Sequence, residues 1–335
     1  MVGVLPIIEK DDIELSLKFQ KKKMNKMKSL ILSCLSIMLC MTISAQTVSF
    51  VPNWEIGDTA SFYYEYRFST ESGGVTFNDT TSVVINLKVV SKDENGYTLN
   101  ASFVNFNRSG ERNDTLLKKY NITFDYKLDT TGKLIGLADS TKVLADIKAL
   151  HKEIAKDDST FALVYEPMEE KLSDTYLSGL LKNVSYIHSL NGMTLKSNKT
   201  IETKGNKTFI TDEFFVPTTH KYTLESVKGN IVNVKCSSIL NNEDIMPAYI
   251  EYGVQKLYSL FENSPEMIVM SIQELQDGLE KGYKESFDLK ITEIYHYSFD
   301  NSSKWLNSMS GTYTAKGKKE GNTVDDVTEI TITKK

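Results

Sequence analysis

The sequence is poor in residues that staple, kink or ligate. Among 335 residues it has 3 cysteines, 6 prolines and 4 histidines. Cys34 and Cys40 lie in an N-terminal apolar run read below as a cleaved segment, which leaves Cys236 alone and excludes an internal disulfide. A chain of this length can be held by its core without one. Cys236 sits in the strand-like run IVNVKCSSI and reads as a small buried apolar side chain. His151, His188, His220 and His296 show no HxxxH, HxH or HExxH spacing, so no transition-metal site and no cofactor is expected. GxSxG, GxxxxGKS/T and GxGxxG are also missing, which removes support for a serine-hydrolase elbow or a nucleotide loop. The acidic clusters Asn241–Asp244 and Asp325–Asp326 lack the alternation of a calcium loop. No carboxylate pair is marked out for glycoside hydrolysis, so an envelope hydrolase is the minority reading and a non-catalytic protein the expected one.

Long apolar runs are scarce as well. Leu30–Ile43 is a mostly apolar run of 14 residues, short of the about 20 that cross a bilayer. It follows Lys21, Lys22, Lys23, Lys26 and Lys28 and precedes Ala45, the anatomy of a secretory signal peptide cut after Ala45. Residues 1–23 precede a natural-looking start at Met24 or Met27 and are expected to be a gene-model extension. Ile31-Leu32-Ser33-Cys34 fits a lipobox loosely. Only Ser29–Ser33 separate Cys34 from Lys28, too short an apolar region, so lipidation of Cys34 is not the expected outcome. With residues 1–45 go 7 of the 39 basic and 4 of the 44 acidic residues, so 32 face 40 and the net charge is −8. Such a surface repels nucleic acid and anionic headgroups. The expectation is an exported protein of the periplasm or cell surface of a Gram-negative bacterium, with no transmembrane segment after cleavage and no nucleic-acid partner.

What the chain does have is period-two alternation. In ASFYYEYRF (60–68), Phe62, Tyr64, Tyr66 and Phe68 share one face. Residues 81–106 read as two strands around Asp93-Glu94-Asn95-Gly96, and 221–239 repeats the design around Lys228-Gly229-Asn230. A further hairpin is expected at 200–215 around Lys204-Gly205-Asn206, and two strands close the chain. Four stretches carry helical stripes: 139–155, capped at Asp139 or Ser140; one running from Pro167 to near Gly192; 248–261; and 264–282, capped by Ser264 with Pro265 behind it.

YKLDTTGKLIGL (126–137) and YSFDNSSKWLNS (297–308) write one pattern twice, 171 residues apart. Asp129 accepts backbone hydrogen bonds and Gly132 supplies a positive φ; Asp300 matches, but Ser303 replaces the glycine, so the second turn must differ. The fold class read from these patterns is α+β: a curved antiparallel β-sheet built from two similar β-meander halves, 46–195 and 196–335, with amphipathic helices packed on one face.

The segment MNKMKSLILSCLSIMLCMTISAQ, the early NWEIGD and YKLDTTGKL ahead of a helix together resemble domain-of-unknown-function families of exported β-rich proteins of Bacteroidetes-type bacteria. The resemblance covers most of 46–335 in layout, and Ser303 departs from it. It implies location in the envelope and, at Asp58-Thr59-Ala60 and Asp114-Thr115-Leu116, matches to an O-glycosylation pattern.

The aromatic strands carry the functional expectation. Phe62, Tyr64, Tyr66, Phe68, Tyr295 and Tyr297 are candidate ligand-binding residues, since tyrosines on a sheet suit sugars or mixed apolar–polar ligands. The competing reading is that aromatics favour strands and fill the space under helices. Met246, Met267 and Met270 offer an adaptable apolar pocket, with helix-core packing the expected reading. The expected partner is a lipid or other amphipathic small molecule; the alternative is a surface or structural module meeting an envelope protein or glycan.

Overall fold

The structure, a computed structural model, describes residues 46–72, 74–109, 121–209, 211–260, 272–319 and 322–335. The expected signal peptide, Cys34, Asp114-Thr115-Leu116, the Ser264 cap, Met267 and Met270 lie outside these residues. Thr47–Lys335 forms one compact unit.

A short strand β1 (Thr47–Ser49) opens it and leads to a first meander: β2 (Thr59–Ser72), β3 (Val75–Asp93), β4 (Gly96–Arg108), β5 (Ile122–Leu128) and β6 (Leu134–Leu137). Helices α1 (Ser140–Asp157) and α2 (Ser159–Ile187) follow, then β7 (Thr194–Lys196), which pairs with β1. The division expected at residue 195 therefore falls inside a strand that belongs with the first half. The second meander is β8 (Thr200–Phe209), β9 (Thr211–Lys228) and β10 (Ile231–Leu240), then α3 (Asn242–Leu260) and α4 (Ile272–Ser286). It ends with β11 (Phe287–Asp300), β12 (Leu306–Lys319) and β13 (Asn322–Lys334).

Both meanders join one 11-stranded antiparallel sheet in the order β6-β5-β4-β3-β2-β13-β12-β11-β10-β9-β8. Strands β8 to β12 therefore repeat the order and direction of β2 to β6, displaced six places along the sheet, and β13 is the joint. The seam is a long pairing, from Val324 opposite Ser72 to Lys334 opposite Phe62.

The sheet is strongly curled. Strand β5 and the start of β12 are five strand spacings apart, about 24 Å on a flat sheet. Yet one imidazole reaches both: His188 Nε2 lies 2.7 Å from the Tyr126 hydroxyl, and its ring centroid is 6.4 Å from that of Trp305. Alternation along β11 fixes which face is concave. Phe287, Leu289 and Ile291 pack with Ile245 of α3 and Tyr283 of α4, whereas Tyr295, Tyr297 and Phe299 pack with Leu180, Val184 and Ile187 of α2. All six β11 residues share parity, so both helix pairs lie on the same face.

Local chemistry explains most boundaries. The Asp139 carboxylate accepts from Lys142 N at 2.9 Å and caps α1. Asp158 does the same for Phe161 N at 2.9 Å, so α2 begins eight residues before Pro167. The proline expected to start that helix instead kinks it, with Met168 at φ −127, ψ 18. Gly229 (φ +58) turns β9 into β10 as expected. Lys204-Gly205-Asn206 is not a turn. It lies in the middle of β8, paired with Thr219, Thr218 and Pro217, and a Cβ on Gly205 would meet the His220 ring at 3.7 Å. That is ordinary van der Waals contact, so neither space nor backbone angle requires glycine there. No described helix is long and apolar enough to cross a membrane.

The repeated motif sits at the same end of the sheet twice, and its copies differ by one residue. In the first, Asp129 N donates to Lys133 O (2.9 Å) and Gly132 carries the positive φ, +85. In the second, Asp300 N donates to Trp305 O (3.0 Å) and Lys304 carries it, +59. Leu134 opposite Leu128 thus matches Leu306 opposite Phe299, and the spacing grows by one across the loop. Trp305 is the extra residue. It turns inward and stacks on Trp54, centroids 4.1 Å apart and planes 16° apart. The second turn holds the end of β1 and the segment after it: Trp54 Nε1 donates to Ser303 O (3.1 Å), and the Lys304 ammonium to Ser49 O (3.2 Å). A Cβ on Gly132 would lie 2.6 Å from Pro52 Cγ.

Candidate ligand-binding site

The concave face carries two apolar clusters. The larger, under α1 and α2, gathers Phe62, Tyr64, Ile85, Phe103, Tyr126, Tyr297, Phe299, Trp54 and Trp305. The smaller, under α3 and α4, gathers Val216, Leu240, Ile245, Tyr283, Phe287, Leu289 and Ile291. Between them lies a polar band centred on Glu293.

Glu293 occupies the inward parity of β11, between Ile291 and Tyr295, and is buried. Its neighbours across the sheet are Ser238 on β10 and Tyr313 on β12. Three donors serve its carboxylate: the Lys207 ammonium, Ser238 Oγ at 2.8 Å and the Tyr295 hydroxyl at 3.3 Å. Lys207 comes from β8, the described edge of the sheet, and also lies 4.1 Å above the Tyr313 ring centroid. Reaching from β8 to β11 takes a long side chain on a curled sheet.

Burial alone would raise the Glu293 pKa. The charge and hydrogen bond of Lys207, the Ser238 hydroxyl and His220 outweigh it, so the carboxyl titrates below the ordinary glutamate range. Lys207 is shifted down by burial, with Glu293 acting against the shift and Lys182 of α2 adding to it. His220, on β9, is shifted down by burial too, and is neutral at pH 7. The hydroxyls of Tyr186 on α2 and Tyr313 are pushed up to about 12, burial being the first cause of each, so they remain O–H donors. Tyr66 stands near enough to both to contribute to those shifts.

The six sequence-predicted residues all lie on the concave face but divide into two groups. Phe62, Tyr64, Tyr295 and Tyr297 are buried in the larger cluster under α2. Tyr66 and Phe68 are half-buried at the edge of the polar band, where Tyr186 and Tyr313 are half-buried too. Tyr66, Tyr186 and Tyr313 stand together beside the charge pair, while the Phe68 ring packs toward Phe77, centroids 6.4 Å apart. Met246 packs against the smaller cluster. Cys236 is buried, and burial pushes its thiol up to about 11, an unreactive setting.

Glu293, Lys207 and Ser238 were missed by sequence reasoning. The signal was present in FDLKITEIYHYSF, where Phe287, Leu289, Ile291, Tyr295, Tyr297 and Phe299 alternate inward and Glu293 takes an apolar slot. His188 and His151 are buried structural histidines. His188 accepts from Asn191 Nδ2 (3.1 Å) and is held down at about 3 by burial; His151 packs among Phe161, Tyr165 and Tyr176. His296 is exposed, 3.5 Å from Glu225. Among the described residues, no group of three or more His, Cys, Asp or Glu side chains is placed to hold a metal ion.

Two surface clefts, about 370 and 430 Å³, adjoin at the start of α3 and share Asn242, Glu243 and Asp288. Asn242 is committed there, its Oδ1 accepting from Leu289 N (2.9 Å) and Tyr283 Oη (3.1 Å), and its Nδ2 donating to Asp288 (2.9 Å). That is a capping network joining α3, α4 and β11.

No protein-family model and no curated protein matches the chain. Among solved structures, one of lipid–protein interactions in lipovitellin is similar over 84% of this chain, at 10% identity and a TM-score of 0.39; the match spans 25% of that protein's chain.

Proposed function

We propose that this is an exported, non-catalytic cell-envelope protein that binds an apolar or amphipathic ligand on the concave face of its sheet. One observation carries the reading. The half-buried aromatics Tyr66, Tyr186 and Tyr313 flank a buried charge pair at the gap between two apolar clusters, with Phe68 further along the face of β2. A surface with apolar rings beside a few fixed polar groups suits a ligand with both characters. The Lys-rich, then apolar N-terminal stretch supports export.

Native mass spectrometry of the protein purified from its own envelope tests this. A co-purifying amphiphile that is lost from a Tyr66→Ala/Phe68→Ala variant is the expected result. An apo mass in the wild type, with no amphiphile bound on addition, would end the reading. A second reading, a surface module meeting a protein or glycan, is favoured by the outer end of the β2–β3 hairpin, where Val75 is 71% and Phe77 53% exposed. Capture of one envelope partner that depends on Phe77 would favour it.

A further inference from the structure

We propose that the edge strand β8 pairs antiparallel with β8 of a second copy of this chain, about a two-fold axis at Thr203.

The two described ends of the sheet differ in kind. At one, β6 is 4 residues long and a register shift interrupts its pairing with β5. It offers little backbone to a further strand. At the other, β8 runs for 10 residues, with no register shift between Thr200 and Asn206. Among the described residues, no strand pairs with its outer side. Such an edge presents a row of backbone N–H and C=O groups that a strand can satisfy. Lysines and prolines commonly guard an edge of this length. β8 has no proline, and Lys207 is turned inward and held by Glu293. That leaves Lys204, which is exposed on the convex face.

The strand carries its own answer to that lysine. Period two puts Glu202 and Lys204 side by side on the convex face, opposite to Ile201, which packs against the larger cluster. Residues directly opposite in an antiparallel pair share a face. An axis at Thr203 therefore sets Glu202 opposite Lys204 of the second copy, and Lys204 opposite the Glu202 of that copy. Gly205, which nothing within the chain requires, then faces Ile201, and Thr200 faces Asn206. Moving the axis by one residue in either direction sets Glu202 or Lys204 against itself. Like charges directly opposite are destabilising, so the charges select the register at Thr203. Glu202 is already 3.3 Å from Lys221 on β9, with both side chains well exposed. The row across the joined sheet then alternates in sign: Lys221, Glu202, Lys204 of the second copy. The axis stands perpendicular to the sheet, so both concave faces come to one side.

A joint of one strand pair is smaller than a standard interface, so association is expected at micromolar concentrations. Sedimentation equilibrium of the protein as purified from its own cells, from about 1 to about 200 µM, tests this. The wild type should pass from the mass of one chain to that of two. Glu202→Lys and Lys204→Glu, both at exposed positions, should each weaken association at least about tenfold, because each turns two attractive pairs into repulsive ones. Both changes in one chain restore opposite charges at each place, and affinity should return to within about threefold of wild type. A mixture of the two single variants should form heterodimers for the same reason. A monomer at every wild-type concentration overturns the proposal. A dimer indifferent to both single changes overturns its assignment to β8. Losses that neither the combined variant nor the mixture restores overturn the register at Thr203.

Discussion

The two meanders share order, direction and turn motif, yet their interiors are filled differently. In the first, the helices come after the last strand, and α2 runs back under the sheet until Leu180, Val184 and Ile187 meet Phe62, Ile85 and Tyr126. Its buried polar groups form a neutral network: His188 Nε2–H donates to the Tyr126 hydroxyl, and Asn191 Nδ2 reaches both His188 Nδ1 and Gly132 O, each at 3.1 Å. In the second, the helices are inserted between β10 and β11 and pack at one end of the face. The middle of the face, where Tyr186 of α2 and Tyr313 are half-buried, holds a charged network instead. Where the same scaffold is plugged by a helix it carries stability. Away from it the buried polar groups are charged and paired with one another. The contrast is sharpest at sites where one half has a residue the other lacks.

Trp305 is the clearest such site, since it is the residue by which the second turn exceeds the first. Its indole is buried, stacked on Trp54 and tilted against Phe62 at 6.3 Å. Trp305→Ala should cost about 3–5 kcal/mol, because the cavity lies where both halves meet the Trp54 segment. Chemical denaturation reads this as a lower midpoint with unchanged slope. A loss under about 1 kcal/mol would show that the inserted residue is a bystander and the two turns are equivalent.

The charged network of the second half comes next. Lys207→Met leaves Glu293 buried with hydroxyl donors only, and should cost about 3 kcal/mol at pH 7. A Lys207→Met/Glu293→Leu double variant should recover most of it, since the penalty is the orphaned charge and not the missing attraction. Additive losses in the double-mutant cycle would contradict this account. The corresponding neutral network predicts no such rescue: Tyr126→Phe leaves a single His188 bond unmade, a loss of about 1 kcal/mol.

How much of this was legible follows from what each feature depends on. Strand alternation, the Gly229 turn and the Asp139 cap rest on neighbours within a few residues and could be read directly. The Asp93–Gly96 hairpin was legible, but its glycine has a different reason. Its φ is +137, and a Cβ there would lie 2.1 Å from Leu128 O, so it is needed where β4 approaches the end of β5. Lys204-Gly205-Asn206 had turn composition and became strand because β9, 18 residues long, offers β8 a partner along its whole length. The β2–β13 seam joins residues more than 250 apart and leaves no local trace. The candidate site was legible by face and not by position. Period two placed Tyr66 with Phe62 and Tyr64, but only the sheet register puts Tyr295 on the same side, and only the helix placement decides that Tyr295 is covered and Tyr66 half-buried.

The turn glycine gives the third test. Gly132→Ala should cost about 2 kcal/mol, from a positive φ and a contact with Pro52 that has no room to give. At the matching place in the second half, Lys304→Gly relieves the same backbone cost but removes the ammonium bonds to Ser49 O and Asn301. Its net effect should stay within about 1 kcal/mol. Parallel thermal melts of the two variants decide it; equal losses would mean that the turns bear the same strain in spite of their different lengths.

The smallest effect separates the two aspartates. Asp129 accepts through one oxygen from Thr131 N, Thr131 Oγ1 and Lys133 N. Asp300 uses both, taking Ser302 N and Oγ on one and Ser303 Oγ on the other. These hydrogen bonds, led by the Ser302 hydroxyl, hold Asp300 down at about 2. Asp129 is lowered as well, with burial, the largest single cause, working against its Thr131 and Lys133 bonds. A folded-state pKa below the unfolded one gives stability that is present above the unfolded value of about 3.9 and lost as pH falls through the folded value. Asp300→Asn should therefore be less stable than wild type by about 1 kcal/mol at pH 6, and the gap should close between pH 4 and pH 2. Asparagine keeps one acceptor oxygen and cannot accept from Ser303 Oγ through its nitrogen, so part of the loss is specific to the second turn. Asp129→Asn, which loses no second acceptor atom, should show a smaller gap at pH 6. Denaturant midpoints for the three proteins at pH 6 and pH 2.5 measure both differences, and an Asp300→Asn gap that persists unchanged at pH 2.5 would remove ionisation from the explanation.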